Sequence, residues 1–296
     1  MLSPAFIPMS IGTLVNKQNS DGGWPYVRGG SWTEPTVYAV MALLAAGETE
    51  AAGRGLRWLR KARRSDGGWP PRLGIDQSGW VTGLVALLPP AILGEEIHRS
   101  AVQWLLGTQG KETTRIYRLR EWLLGVPSPV EQDFPGWPWV PGTAAWVGPT
   151  SIAILALQRE NRQRPTAPIQ SRIREGQRFL LARMCKSGGW NHGSSNALGY
   201  AAHPYPETTG MALAALRGVK GPKVEMAIAV AHQFLGECRS ADALNWLRLG
   251  LRAQNQMPPD FCAPSDVARR TIPETSLDVL VAEAVRQGRD VFLNLV

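Results

Sequence analysis

The sequence is poor in cysteine and histidine and has no long apolar run. Its three cysteines, Cys185, Cys238 and Cys262, are an odd number with no Cys-x-x-Cys spacing. This argues against a disulfide framework and fits reduced thiols in a cytoplasmic compartment. No stretch reaches the roughly 18 apolar residues that a membrane span requires, and the mean hydropathy is −0.15. The first residues, MLSPAFIPMSIGTLVNK, lack an early basic cluster and are interrupted by prolines, so they do not read as a secretory signal. Acidic residues are outnumbered, 24 against 32 Lys and Arg, giving a net charge of +8. That charge bears on partners and not on fold. No nucleic-acid-binding motif accompanies it, so nucleic acid is not an expected partner. Tyrosine (5) and phenylalanine (6) are also scarce, whereas there are 12 tryptophans, a ratio that needs a cause.

The cause is a repeat. Ser-Asp-Gly-Gly-Trp-Pro occurs at residues 20–25 and again at 65–70. Gly-Gly-Trp returns at Trp190, with a Pro-Gly-Trp version at Trp137. Before these sites lie Arg-rich stretches carrying an aromatic–aliphatic pair: Trp58-Leu59, Trp104-Leu105, Phe179-Leu180 and Phe234-Leu235. The segment ending at Trp246 reads as a worn copy. After each tryptophan come a loop and an Ala/Leu-rich stretch with almost no charge, such as EPTVYAVMALLAAG and ETTGMALAALRG. Stretches apolar on every side are buried helices, and those with a basic face are outer ones. Each repeat is therefore an outer helix, a Gly-Trp turn and an inner helix. Inner helices without a polar face must touch one another, and a closed ring satisfies this without the polar end caps of an open solenoid. The expectation is all-α: an α/α toroid of five to six helical hairpins, one domain over residues 1–296. Short extra helices are expected within residues 110–131 and 241–253, and residues 161–168 read as a loop.

The repeats resemble the QW motif of the terpenoid cyclase and protein prenyltransferase superfamily: a basic residue, a small residue, an aromatic, an aliphatic, then Gln and Gly-x-Trp. Gln18 with Trp24 fits, and Gln109 fits the front half; Arg63 and Met184 stand where Gln belongs in two other copies. The resemblance covers nearly the whole chain and implies the toroid fold; the cysteines point to a cytoplasmic location, and the basic outer helix to a membrane-peripheral one. It also implies a polyprenyl or other apolar substrate in the central cavity, turned over by acid-initiated cyclisation or prenyl transfer. The chain departs from the family at its known sites. There is no DxDD acid motif, no Asp/Cys/His zinc set and no Cys-Gly-Glu-Gln thioester. No cofactor or metal is therefore expected, and a non-catalytic toroid that binds a lipid, peptide or protein partner is the alternative.

In a toroid the inner helices start at one mouth. Aligning their cores places Glu34, Ser78, Gly148, Glu207 and Glu274 at equivalent starts. Two residues before these lie Trp32, Asp76, Trp146 and Tyr205, and two after lie Thr36, Trp80, Thr150, Thr209 and Ser276. Carboxylates gathered around an apolar cavity repel, and one can hold a proton near neutral pH. Glu34, Glu207 and Asp133, the last in the Trp-Pro segment DFPGWPWVPG, are the candidate catalytic acids. Trp32, Trp80, Trp137, Trp139, Trp146 and Tyr205 are candidate substrate-binding aromatics able to face a carbocation. His192, His203 and Glu274 complete the candidate rim. The structural alternatives are helix capping for each Glu, with Ser31 and Glu34 forming a capping box, and loop capping for Asp133. The basic helix GRGLRWLRKARR, with IYRLREW, offers a face to an anionic membrane or an acidic protein, or simply a solvated surface.

Overall fold

The computed structural model describes residues 6–125, 134–193, 196–197, 200–256, 267–288 and 290–295. Among the described residues thirteen α-helices follow one another: α1 (Phe6–Asn16), α2 (Thr33–Ala45), α3 (Thr49–Ala62), α4 (Val81–Ala86), α5 (Pro90–Leu93), α6 (Glu95–Gly107), α7 (Arg115–Leu124), α8 (Val147–Gln163), α9 (Ala167–Ala182), α10 (Pro206–Ala215), α11 (Pro222–Glu237), α12 (Ala241–Ala253) and α13 (Ile272–Gln287). A short 3₁₀ turn covers Lys111–Thr113, and Asn196–Ala197 pairs with Tyr200–Ala201 as a minimal hairpin.

Six of these helices form a closed inner ring. Each of α2, α4, α8, α10, α12 and α13 packs on the next, and α13 returns to α2. Among them α2, α8 and α10 are helices the sequence leaves without a polar face: every residue of α2 from Pro35 to Leu43 is buried. Helices α1, α3, α6, α9 and α11 pack outside them. The ring has six members because α12 is an inner helix, where the sequence suggests only an added one. Trp246 accordingly sits inside α12 and is not a worn Gly-Trp joint. Residues 161–168 are mostly helical as well, since α8 runs to Gln163 and α9 starts at Ala167.

The joints explain the excess of tryptophan. Trp24, Trp69, Trp137 and Trp190 are all buried, each at 2% exposure or less. Each indole N–H donates to a carbonyl of the preceding outer helix: Leu14 (2.7 Å), Leu59 (2.7 Å), Leu105 (2.9 Å) and Leu180 (2.6 Å). Each backbone N–H donates to a threonine hydroxyl of the following inner helix: Thr36, Thr82, Thr150 and Thr209. One residue therefore ties the outer to the inner helix at both ends, filling the seam and pairing both of its own N–H groups. Gly22 and Gly67 hold φ of +93° and +86°, a conformation that L side chains rarely adopt. The aspartate before them caps the turn: Asp21 accepts from Gly23 N–H and Ser31 Oγ, and Asp66 from Gly68 N–H and Ser78 Oγ. Ser31 is thus a joint residue and forms no capping box with Glu34. Ser78 is its counterpart and not that of Glu34, so the expected register of α4 was displaced.

A second bond recurs and runs between repeats. A backbone N–H at the start of an inner helix, or just before it in α4, donates to the carbonyl two residues beyond the next seam tryptophan: Thr33 to Pro71 (2.9 Å), Trp80 to Trp139 (2.9 Å) and Val147 to His192 (2.8 Å). Ile272 donates to Tyr26 in the same way (2.8 Å), so the last inner helix is joined to the first loop and the ring closes. In α10 this position is Pro206, which has no N–H to donate.

Candidate functional site

The inter-repeat bonds hold Tyr26, Trp139 and His192 at the end of the ring where the inner helices begin. These loop residues line a cavity of about 340 Å³ together with Glu34 of α2, Trp80 before α4, Gly148 of α8, Glu207 of α10 and Asp242 of α12. One helical turn further in, Tyr38, Met211 and Trp246 form its deeper wall. Five inner helices thus place their starts around one opening, as a ring of parallel inner helices requires.

Crossing geometry brings α12 close to α10. A Cβ on Gly210 would collide with the backbone of Trp246 and Leu247, and one on Gly250 with the backbone of Gly210. Only glycine lets the two helices approach this far, which sets Asp242 and Glu207 at the same opening. On the other side Trp246 stacks on Phe292, with centroids 5.5 Å apart.

Three carboxylates therefore share a cavity walled by aromatic rings. Glu34 accepts a hydrogen bond from the Tyr26 hydroxyl. Burial pushes the Glu34 carboxyl up from its ordinary value, and that hydrogen bond partly offsets the rise. Burial also keeps Tyr26 and Tyr38 neutral, reinforced by the charge of Glu34. Asp242 is pushed up to about 7, first by burial and then by the charges of Glu34, Glu207 and Glu274. It therefore exchanges its proton near neutral pH. His192 Nε2 lies 3.5 Å from Glu207 Oε1, and its ring is 5.2 Å from that of Tyr205. Trp80 and Trp139 meet edge to face at 4.9 Å. Among the described residues the lining contains no Lys or Arg.

Of the residues expected from sequence, Glu34, Glu207, Trp80, Trp139 and His192 line this cavity. Trp32, Trp146 and Tyr205 do not line it: they are the residues immediately before α2, α8 and α10, and their N–H groups bond to the carbonyls of Trp24, Trp137 and Trp190. Trp32 instead stands between Tyr26, at 5.5 Å, and the Arg72 guanidinium, at 5.2 Å. Trp137 is a seam residue. His203 is exposed and is not among the residues that line the cavity. Glu274 forms a capping box with Thr271, accepting from its N–H at 2.9 Å, and acts on the cavity only through its charge. Asp133 lies outside the described residues. Among the described residues no three His, Cys, Asp or Glu are grouped to hold a metal ion.

Tyr26, Tyr38, Met211, Trp246 and Asp242 were not expected at the cavity from sequence, where Trp246 reads as a worn joint. For Tyr26 a signal exists: it stands two residues after a seam tryptophan, as Trp139 and His192 do. The basic outer helix α3 is partly engaged by the protein itself. Arg54 bonds Gln18 and Glu50, Arg60 bonds the carbonyls of Ile92 and Leu93, and Arg64 pairs with Asp76.

No family model matches the sequence, and no curated protein matches it. Solved structures do share its architecture. A protein from Actinoplanes is 17% identical, with 97% of this chain and 81% of that one covered and a TM-score of 0.56. A GH8 endo-β-1,4-glucanase from an Achatina fulica gut metagenomic library is 13% identical, with 95% and 98% covered and a TM-score of 0.59. A variant of the type II terpene cyclase MstE from Scytonema, bound to geranylgeranyl dihydroxybenzoate, is 16% identical, with 95% and 96% covered and a TM-score of 0.45. No helix among the described residues is long and apolar enough to cross a membrane. The chain is an α/α toroid, the fold it shares with the glucanase.

Proposed function

We propose that the protein is a general-acid enzyme that protonates a small apolar substrate, with a short isoprenoid as the first candidate, inside the toroid cavity. The observation that carries this reading is the Asp242 carboxyl, held near pKa 7 in an aromatic cavity. An acid poised at the working pH donates its proton most effectively. Protonating an alkene leaves a carbocation, and the faces of Trp80, Trp139 and Trp246 are suited to stabilise it. Glu34 and Glu207 serve as negative charges that keep the proton on Asp242 and offset the cation that follows. With no Lys or Arg among the described lining residues to hold a diphosphate, proton-initiated cyclisation or isomerisation is favoured over prenyl transfer. The volume lies at the lower end of the ~300–1,000 Å³ usual for ligand pockets, which narrows the substrate to a short chain.

A second reading rests on the carboxylate set itself. Paired carboxylates with aromatic platforms also suit glycoside cleavage, where one protonates the leaving oxygen and another meets the oxocarbenium ion. Incubating the protein with linear isoprenoids and, separately, with a panel of oligosaccharides and aryl glycosides separates the two. Conversion of an isoprenoid that is lost in Asp242→Asn supports the first reading. Glycoside cleavage without isoprenoid conversion establishes the second, and turnover of neither class removes both.

A further inference from the structure

Helix α7 has no buried face among its described side chains. Ile116 is 82% exposed and Trp122 77%, and Leu119, Leu123 and Leu124 are also exposed. At 100° per residue Trp122, Leu119, Leu123 and Ile116 fall on one stripe about 120° wide. A shallow groove of about 490 Å³ runs along it, lined by Ile116, Leu119, Arg120, Leu123 and Leu124. An apolar stripe of this kind on a protein surface marks an interaction site.

The charges around the stripe identify the occupant. Arg120 borders it on one side, and Arg115 stands at its N-terminal end. We infer that α7 docks on an anionic lipid bilayer, lying in the plane of the interface with its apolar stripe in the acyl boundary. Arg120 extends its stem along the apolar surface and places its head among lipid phosphates. Tryptophan suits the same depth. Leu124 lies off the stripe, which a lipid phase accepts and a fitted protein groove does not. The root of α7 is fixed by Lys111 N–H to the Thr143 carbonyl (3.0 Å) and by Ala145 N–H to the Glu112 carboxylate (3.0 Å). Both bonds reach the loop that carries Trp139, so docking sets the cavity opening near the membrane surface. This inference stands on the helix alone and does not depend on the chemistry of the cavity.

The test is sedimentation of the whole protein with phosphatidylcholine vesicles containing phosphatidylglycerol, against phosphatidylcholine alone. The expected result is binding to the anionic vesicles with a blue shift of tryptophan emission. Leu119→Asp/Leu123→Asp, on an exposed helix, keeps the fold by circular dichroism and weakens binding by on the order of tenfold or more. Arg115→Glu/Arg120→Glu weakens it by a similar factor, and less at high salt. Three results overturn the inference: no binding to anionic vesicles, equal binding of the leucine variant, or a concentration-dependent dimer that the leucine substitutions abolish.

Discussion

Asp242 couples the chemistry of the cavity to the stability of the fold. Its folded pKa, about 7, stands above the ordinary aspartate value of about 3.9. Between these values the folded chain binds the proton and the unfolded chain does not. Stability therefore falls as pH rises from about 4 to 7, and the cost is fully present above 7. Replacing the carboxyl by an amide removes that cost. Asp242→Asn is expected to stabilise the protein at pH 8 by on the order of 1–3 kcal/mol, read by chemical denaturation, with little change at pH 4. The same substitution is expected to abolish turnover, and kcat/KM of the wild type to fall above pH 7 as the acid form is lost. Tyr26→Phe leaves Glu34 without its hydrogen bond and is expected to raise the Glu34 carboxyl further, seen as a shift in the acidic limb of the same profile.

The joint and the helix crossing are where the fold is most exposed to single changes. Thr82→Val keeps shape but leaves the buried Trp69 N–H unpaired, and should cost about 1–3 kcal/mol in denaturant unfolding. Gly210→Ala forces α10 and α12 apart and is expected to cost at least about 1–3 kcal/mol, while separating Asp242 from Glu207. These elements also mark how far the sequence could be read. Gly-Gly-Trp announces the joints because a positive-φ turn and a seam-filling indole need those residue types. The charge-free inner stretches announce α2, α8 and α10. Helix α12 escaped that reading because no Gly-Trp joint precedes it and because Arg248 and Asn245 break its apolar character. The structure pairs them inside the core, Arg248 donating to Asn245 and Asn245 to Asp278. Since α12 carries Asp242, the main acid of the cavity could not be found from the repeat. The α4 register failed for a related reason: the loop after Trp69 differs in length, which only the Asp66–Ser78 contact reveals.

Closure makes the site a property of the whole molecule. The Ile272–Tyr26 bond joins the last inner helix to the first loop, and Arg159 of α8 reaches the carbonyls of Phe292 and Leu295 from the interior. We propose that the ring behaves as one cooperative domain, so denaturation followed by tryptophan fluorescence and by circular dichroism should give a single coincident transition. Phe292→Ala, which removes the support of Trp246, should lower stability by about 3–5 kcal/mol and loosen the cavity wall. Burial and the charges of three other helix starts raise Asp242 only if the ring holds them at one opening. Its titration therefore reports on the fold and the site together. The most direct measurement is the pH titration of the Asp242 carboxyl by carbon-13 NMR, with Asp242→Asn identifying the signal. A midpoint near pH 7 is predicted, and a midpoint near the ordinary aspartate value would contradict the account.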